Sequence, residues 1–310
     1  MFENDKIIKE YEKLMENEKT TYGEVQKFIN KNKPKNLYRY RNIKFIESET
    51  ISGLIRICNP NEYNDPFDCG FYIDYKKYIS YANDDVLRTL NLIGASSNFS
   101  AMLTGMKHLT NQIESSYKQA NYITCFTEEY TNTLMWAHYA DSHRGICIEY
   151  NYDKIPNEIR DLIFPVIYIG ERYDASKILA THNENLARNP SFYKSDIWRY
   201  EKEWRFRIDN DKIVLLKNKI TKTIDGVEYI FINLSDAIEA IYFGVNFDFS
   251  NPKISHSLNN LKSYAKMKNI KLYQMVALKE EKVGFKAEII KDLCKNKWFL
   301  NLSALYNACK

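Results

Sequence analysis

The sequence predicts an α+β fold, a mixed sheet core with helical insertions. Strand-like runs rich in β-branched and aromatic residues recur at irregular intervals, and helix-period segments fall between them without a regular βα repeat. Neither Gly-x-Gly-x-x-Gly nor Gly-x-x-x-x-Gly-Lys occurs, so dinucleotide-fold and P-loop readings have no support. With 310 residues, 45% of them hydrophobic and 14% aromatic, including 24 tyrosines, the chain has enough apolar surface to offset the entropy of folding.

From Ile7 to Ile29, Ile8, Tyr11, Leu14 and Met15 recur near helical spacing ahead of a Lys33-Pro34 turn, which predicts an N-terminal helical arm. Leu37-Tyr-Arg-Tyr-Arg41 reads as a strand with Arg39 and Arg41 on one face, Glu49 to Leu54 as a short helix, and Leu54 to Cys58 as a strand. The turn-rich stretch Asn61 to Gly70 fits a fixed loop of the kind that lines sites. Asp84 to Lys118 predicts one or two helices with a break at Gly94 to Ser97.

Tyr122 to Thr127 and Gly145 to Tyr150 read as strands flanking a helix from Leu134 to Tyr139, and Val166 to Ile169 as a further strand. A helix from Ala175 through Trp198, broken or restarted at Pro190, leads into the next strand. Ala240 to Gly244, Ile254 to Lys268 and Ile270 to Leu278 close the domain as strand, helix and strand. The resulting organisation is an arm (1–34), a main α+β domain (35–280) and a C-terminal extension packed on it (281–310).

A net charge of +4 permits an anionic ligand or nucleic acid but falls short of a strongly basic footprint. The six cysteines form no Cys-x-x-Cys pair and have no histidine at zinc-finger spacing, which predicts reduced thiols and no metal. The first residues are charged rather than apolar, and no run approaches the roughly 18 apolar residues of a membrane span. The expectation is a soluble, cytoplasmic protein without a membrane partner.

The most informative stretch runs from Trp198 to Arg207. As a strand it places Arg199, Glu201, Glu203, Arg205 and Arg207 on one face and Tyr200, Trp204, Phe206 and Ile208 on the other. Neighbouring carboxylates with interleaved arginines suit chemistry on a cationic or sugar-like transition state. They equally suit a solvated strand face with cross-strand ion pairs. A rival centre is Met135-Trp-Ala-His-Tyr139, where His138 sits among Trp136, Tyr139 and Asp141 as a candidate acid/base or as a packing residue. Cys125, mid-strand in an apolar run, reads as structural rather than nucleophilic.

Taken together, Leu37-Tyr-Arg-Tyr-Arg41, Tyr63-Asn-Asp-Pro-Phe-Asp68, Met135-Trp-Ala-His-Tyr-Ala-Asp141, Gly145-Ile-Cys-Ile-Glu149 and Tyr200-Glu-Lys-Glu-Trp-Arg205 resemble the bacterial domain-of-unknown-function 2971 family, over roughly Leu37 to Leu278. A looser similarity links the order arginine strand, hydroxyl strand, Glu-x-Glu to ADP-ribosyltransferases, and implies an ADP-ribosyltransferase-like fold. That resemblance implies NAD as substrate, with Arg39 or Arg41 at its phosphate or ribose and Thr124 and Thr127 bracing the site. Trp136 and Tyr139 join them as cofactor-side residues. It also implies Glu203 at the sugar cation and Glu201 as the group that orients or deprotonates the acceptor. Ile123-Thr-Cys-Phe-Thr127 departs from a Ser-Thr-Ser triplet, and a Trp follows the second Glu.

The implied activity is modification of a nucleic acid or protein acceptor, or hydrolysis of NAD, in a toxin or phage-defence setting. The alternatives are a nucleic-acid-binding or nucleic-acid-processing protein, in which Arg205 and Arg207 hold phosphate while tyrosine and tryptophan stack bases, and a non-enzymatic interaction module.

Overall fold

The computed structural model describes residues 5–17, 19–81, 99–181, 189–217, 219–278 and 284–290. Helices and a mixed sheet are both present, which bears out the α+β class. The chain divides into two compact units, the first made of 1–34, 57–125 and 158–217 and the second of 35–56, 126–157 and 218–310. The expected arm falls in the first unit, and the expected main domain is divided between the two. No helix among the described residues is long and apolar enough to cross a membrane.

In the first unit, the expected single arm is two helices, Asp5–Glu16 and Tyr22–Asn32. The break has a local cause. Thr21 and Glu24 form a reciprocal capping box that starts a new helix. The helices pack inward: Tyr11 is buried and stacks on Phe28, while Tyr22 and Gln26 both donate to the Asp161 carbonyl.

The strand Glu203–Asp209 lies between Asn121–Thr127 and Ile163–Pro165 in its sheet. Flanked on both edges, it is buried on both faces: every residue but Asp209 is buried. Short parallel pairs, Ile167–Ile169 with Tyr193–Ser195 and Phe71–Tyr72 with Tyr173–Asp174, complete the unit beside the helix Phe99–Gln119. The Asp84-Asp85 start and the Gly94 to Ser97 break lie outside the described residues.

The helix expected from Ala175 to Trp198 is corrected. Ser176–Thr181 is helical, Pro190 falls in a 3-10 turn, and Tyr193–Ser195 is a strand followed by the 3-10 helix Asp196–Glu201. Proline and the aromatic Phe192-Tyr193 pair favour turn and strand over continued helix.

The second unit is built on the strands Phe285–Ile289, Lys271–Ala277, Ile238–Phe243, Ile146–Asn151 and Asn36–Arg41, neighbours in that order. Ile238–Phe243 pairs parallel with Lys271–Ala277, the helix Ser255–Lys268 making the connection, and the other pairs are antiparallel. A hairpin of Lys219–Ile224 and Val227–Asn233 joins Leu54–Ile57 in a small sheet. Its Asp225-Gly226 turn has both residues at positive φ, the turn chemistry that hairpins favour.

After the helix Thr133–Tyr139 the chain turns through three successive left-handed residues, Asp141, Ser142 and His143, with φ of 50°, 52° and 67°. Backbone hydrogen bonds from His143 to Trp136 and from Gly145 to Ala140 hold this turn. It fits because Gly145 and Gly244 carry no side chain: a Cβ at Gly244 would collide with the His143 carbonyl. Gly244→Ala is therefore expected to lose about 1–3 kcal/mol, read as a shifted midpoint in denaturant unfolding.

Candidate active site

In the first unit the strand Glu203–Asp209 obeys the period of two. Glu203, Arg205 and Arg207 share one face, and Trp204, Phe206 and Ile208 fill the other with apolar bulk. Glu201 and Arg199 depart from the expected strand face. They lie in the 3-10 helix, and Lys202 closes it at a left-handed φ of 44°. Glu201 and Glu203 nevertheless converge, because both reach one ammonium.

That ammonium is Lys194, on the strand Tyr193–Ser195. Its Nζ lies 2.5 Å from Glu201 Oε2, 3.0 Å from Glu203 Oε2 and 3.5 Å from Asp68 Oδ2. Arg205 is wholly buried and donates through Nε to Glu203 Oε1 at 2.9 Å, and through Nη2 to Glu203 Oε2 at 3.0 Å and to Asp68 Oδ2 at 2.7 Å. Its Nη1 donates to the Ser191 carbonyl at 2.8 Å. The Glu203 backbone N–H donates to the Tyr168 hydroxyl at 2.8 Å. The solvated-face alternative is thus corrected: the ion pairs are there, but within the core.

Burial alone favours a neutral Glu203 carboxyl, yet Arg205 and Lys194 outweigh it and hold the group well below the usual carboxylate range. Burial likewise works against a charged Lys194, but Glu203 and Asp68 keep it protonated. Three carboxylates, Asp68, Glu201 and Glu203, thus surround two cations, and these five groups carry one negative charge in excess. Cys69 and Cys125 border the cluster, and burial pushes both thiols up, so they are neutral and poor nucleophiles.

The other sequence-derived residues have different settings. Arg39 and Arg41, in the second unit, share a strand face as expected, and that face carries Glu49. Arg41 donates to Glu49, and Arg39 Nε lies 3.9 Å from the same carboxylate. Thr124 and Thr127 are buried but three apart on one strand, so they point to opposite faces. Thr127 Oγ1 accepts from the Glu129 N–H at 3.2 Å. Trp136 is core, its indole N–H donating to the Tyr130 carbonyl at 2.7 Å. His138 is exposed, with the half-buried Tyr139 ring 6.2 Å away.

Sequence reasoning missed Lys194, Asp68 and Glu149. Lys194 is a lone lysine behind Phe192-Tyr193, and Glu149 a lone carboxylate in an apolar strand. In each case a charge amid apolar neighbours was the available signal. Asp68 falls in the expected site-lining loop and in the Tyr63–Asp68 motif, neither of which gives it a role by itself.

The comparisons with known proteins agree with one part of this picture. No curated protein and no solved structure matches the chain significantly. A family model described as "Protein of unknown function (DUF2971)" matches residues 135–206, a stretch narrower than the resemblance over Leu37 to Leu278. It runs from the Trp136 helix to the Glu203 strand, and over those residues the chain is similar to the DUF2971 family.

Proposed function

We propose that the chain is an enzyme of the ADP-ribosyltransferase type that cleaves the nicotinamide–ribose bond of NAD, with Glu203 as the carboxylate at the sugar cation. The reading is carried by the buried cluster in which Glu203 is held ionised within one negative charge in excess. When the C–N bond breaks, its electron pair leaves with nicotinamide and the ribose carbon becomes an oxocarbenium ion. A fixed anion in a dry site stabilises that charge more strongly than water does.

Glu201 takes the proton that the attacking hydroxyl or water loses as the new C–O bond forms. Lys194 and Arg205 keep both carboxylates oriented. Arg39 and Arg41, engaged by Glu49, have no part in this reading.

The test is nicotinamide release from NAD by the purified chain, alone and with nucleic acid or cell lysate. Release by the wild type and at least about a hundred-fold loss in Glu203→Gln are expected. Equal release by both proteins, or no release and no NAD binding in any mixture, would sink the proposal.

A further inference from the structure

Glu149, in the second unit, is buried without a cation in contact. Its partners are neutral: the Asn36 amide donates to Oε1 at 2.5 Å and the Tyr242 hydroxyl to Oε2. Among the described residues no lysine or arginine pairs with it, although Lys35 and Lys271 are near enough to act on it electrostatically. Buried carboxylates are normally paired, and one that is not marks a place where a cation is wanting. Asn36 Oδ1, alongside, is a buried acceptor with no donor.

The strand register puts Tyr38, Glu149, Tyr242 and Tyr273 on one sheet face, since Tyr38 pairs with Glu149, Tyr242 with Cys147 and Tyr242 with Tyr273. Above them the Tyr130 ring stacks on Tyr242 with centroids 4.5 Å apart, and Tyr242 stacks on Tyr273 at 4.9 Å. Tyr38 closes the group 5.2 Å from Tyr130. Tyr130 and Tyr273 are half-buried, so each keeps part of its surface in solvent.

We infer that Glu149, Asn36 and the stacked tyrosines form a binding site for a guanidinium group, such as an arginine side chain presented by a partner or peptide. A guanidinium is flat, so it stacks on a tyrosine face. It is cationic, so it pairs with Glu149, and its N–H groups meet the carboxylate and the unpaired Asn36 Oδ1 acceptor. A purine fits less well, because its ring nitrogens would face acceptors. An ammonium lacks the plane to stack.

The site shares no residue with the Glu203 cluster and stands apart from the NAD reading. Nicotinamide release and guanidinium binding therefore succeed or fail separately.

The experiment titrates the full chain with N-acetylarginine amide by calorimetry, in parallel with the citrulline, lysine and adenosine monophosphate counterparts. The arginine compound is expected to bind saturably, the neutral citrulline analogue at least ten-fold more weakly, and lysine and the nucleotide more weakly still. Glu149→Gln, which keeps the size and one acceptor oxygen but not the charge, and Tyr130→Leu should each weaken arginine binding about ten-fold while the circular dichroism spectrum is unchanged. Equal binding of citrulline, preference for lysine or the nucleotide, no arginine binding, or undiminished affinity in a folded Glu149→Gln protein would each overturn the inference.

Discussion

Arg205→Leu is expected to lose about 3–5 kcal/mol of stability, the largest effect of any single change proposed for this chain. The guanidinium is fully buried and donates to both oxygens of Glu203, to Asp68 and to the Ser191 carbonyl. Leucine fills part of the volume and none of these bonds. Asp68, Glu201 and Glu203 would then share the single Lys194 ammonium in a largely buried setting. The cost is that of stranded carboxylates more than of a lost attraction. An internal comparison is Arg172→Leu, whose partner is Glu114 and whose side chain is 44% exposed. Solvent screening should limit that change to about 1 kcal/mol or less. Denaturant midpoints at equal slope provide the comparison, and similar losses in the two variants would show that the cluster is no more than an ordinary surface pair.

Acid should destabilise the protein through Glu203. Arg205 and Lys194 hold its folded pKa below the ordinary carboxylate value of 4.5 despite the opposing effect of burial. A depressed folded pKa means that the contribution is fully present above the unfolded value and disappears as pH falls from there through the folded one. The expected loss between pH 5 and the strongly acid range is about 3 kcal/mol. Glu149 acts with the opposite sign. Burial raises its folded pKa, so protonation relieves a cost and stability rises slightly as pH drops toward 4.5. Unfolding midpoints between pH 7 and pH 3 should therefore hold or rise a little and then fall steeply in the wild type. In Glu203→Gln the acid limb should flatten. Parallel curves for the two proteins would remove Glu203 as its cause.

Local chemistry explains which elements were legible. The strands at Leu37, Tyr122, Gly145 and Ala240 carry alternating or β-branched runs bounded by turn residues, and each is present with boundaries shifted by a few residues. The hairpin from Lys219 to Asn233 was missed although Asp225-Gly226 marks its turn, because its first strand is polar and exposed and gives no hydrophobic alternation. The segment from Ala175 to Trp198 read as helix because its first half is rich in helix formers, although Pro190 and Phe192-Tyr193 favour turn and strand. Pairing of Tyr193–Ser195 with Ile167–Ile169 fixes that end as strand.

By itself the sequence determined the α+β class, the shared face of Arg39 and Arg41, and the shared face of Glu203, Arg205 and Arg207, since these follow from backbone periodicity within one strand. Only the tertiary structure decided which charges meet. It set Lys194 between Glu201 and Glu203, brought Asp68 to Arg205 across more than a hundred residues of chain, gave Glu49 to the two arginines and left Glu149 among tyrosines. A charge's partner is whichever group folding brings within about 4 Å, and the energy of that meeting depends on how much water remains. Neither quantity is written in local sequence, which is why an expected surface face proved to be a buried charge cluster.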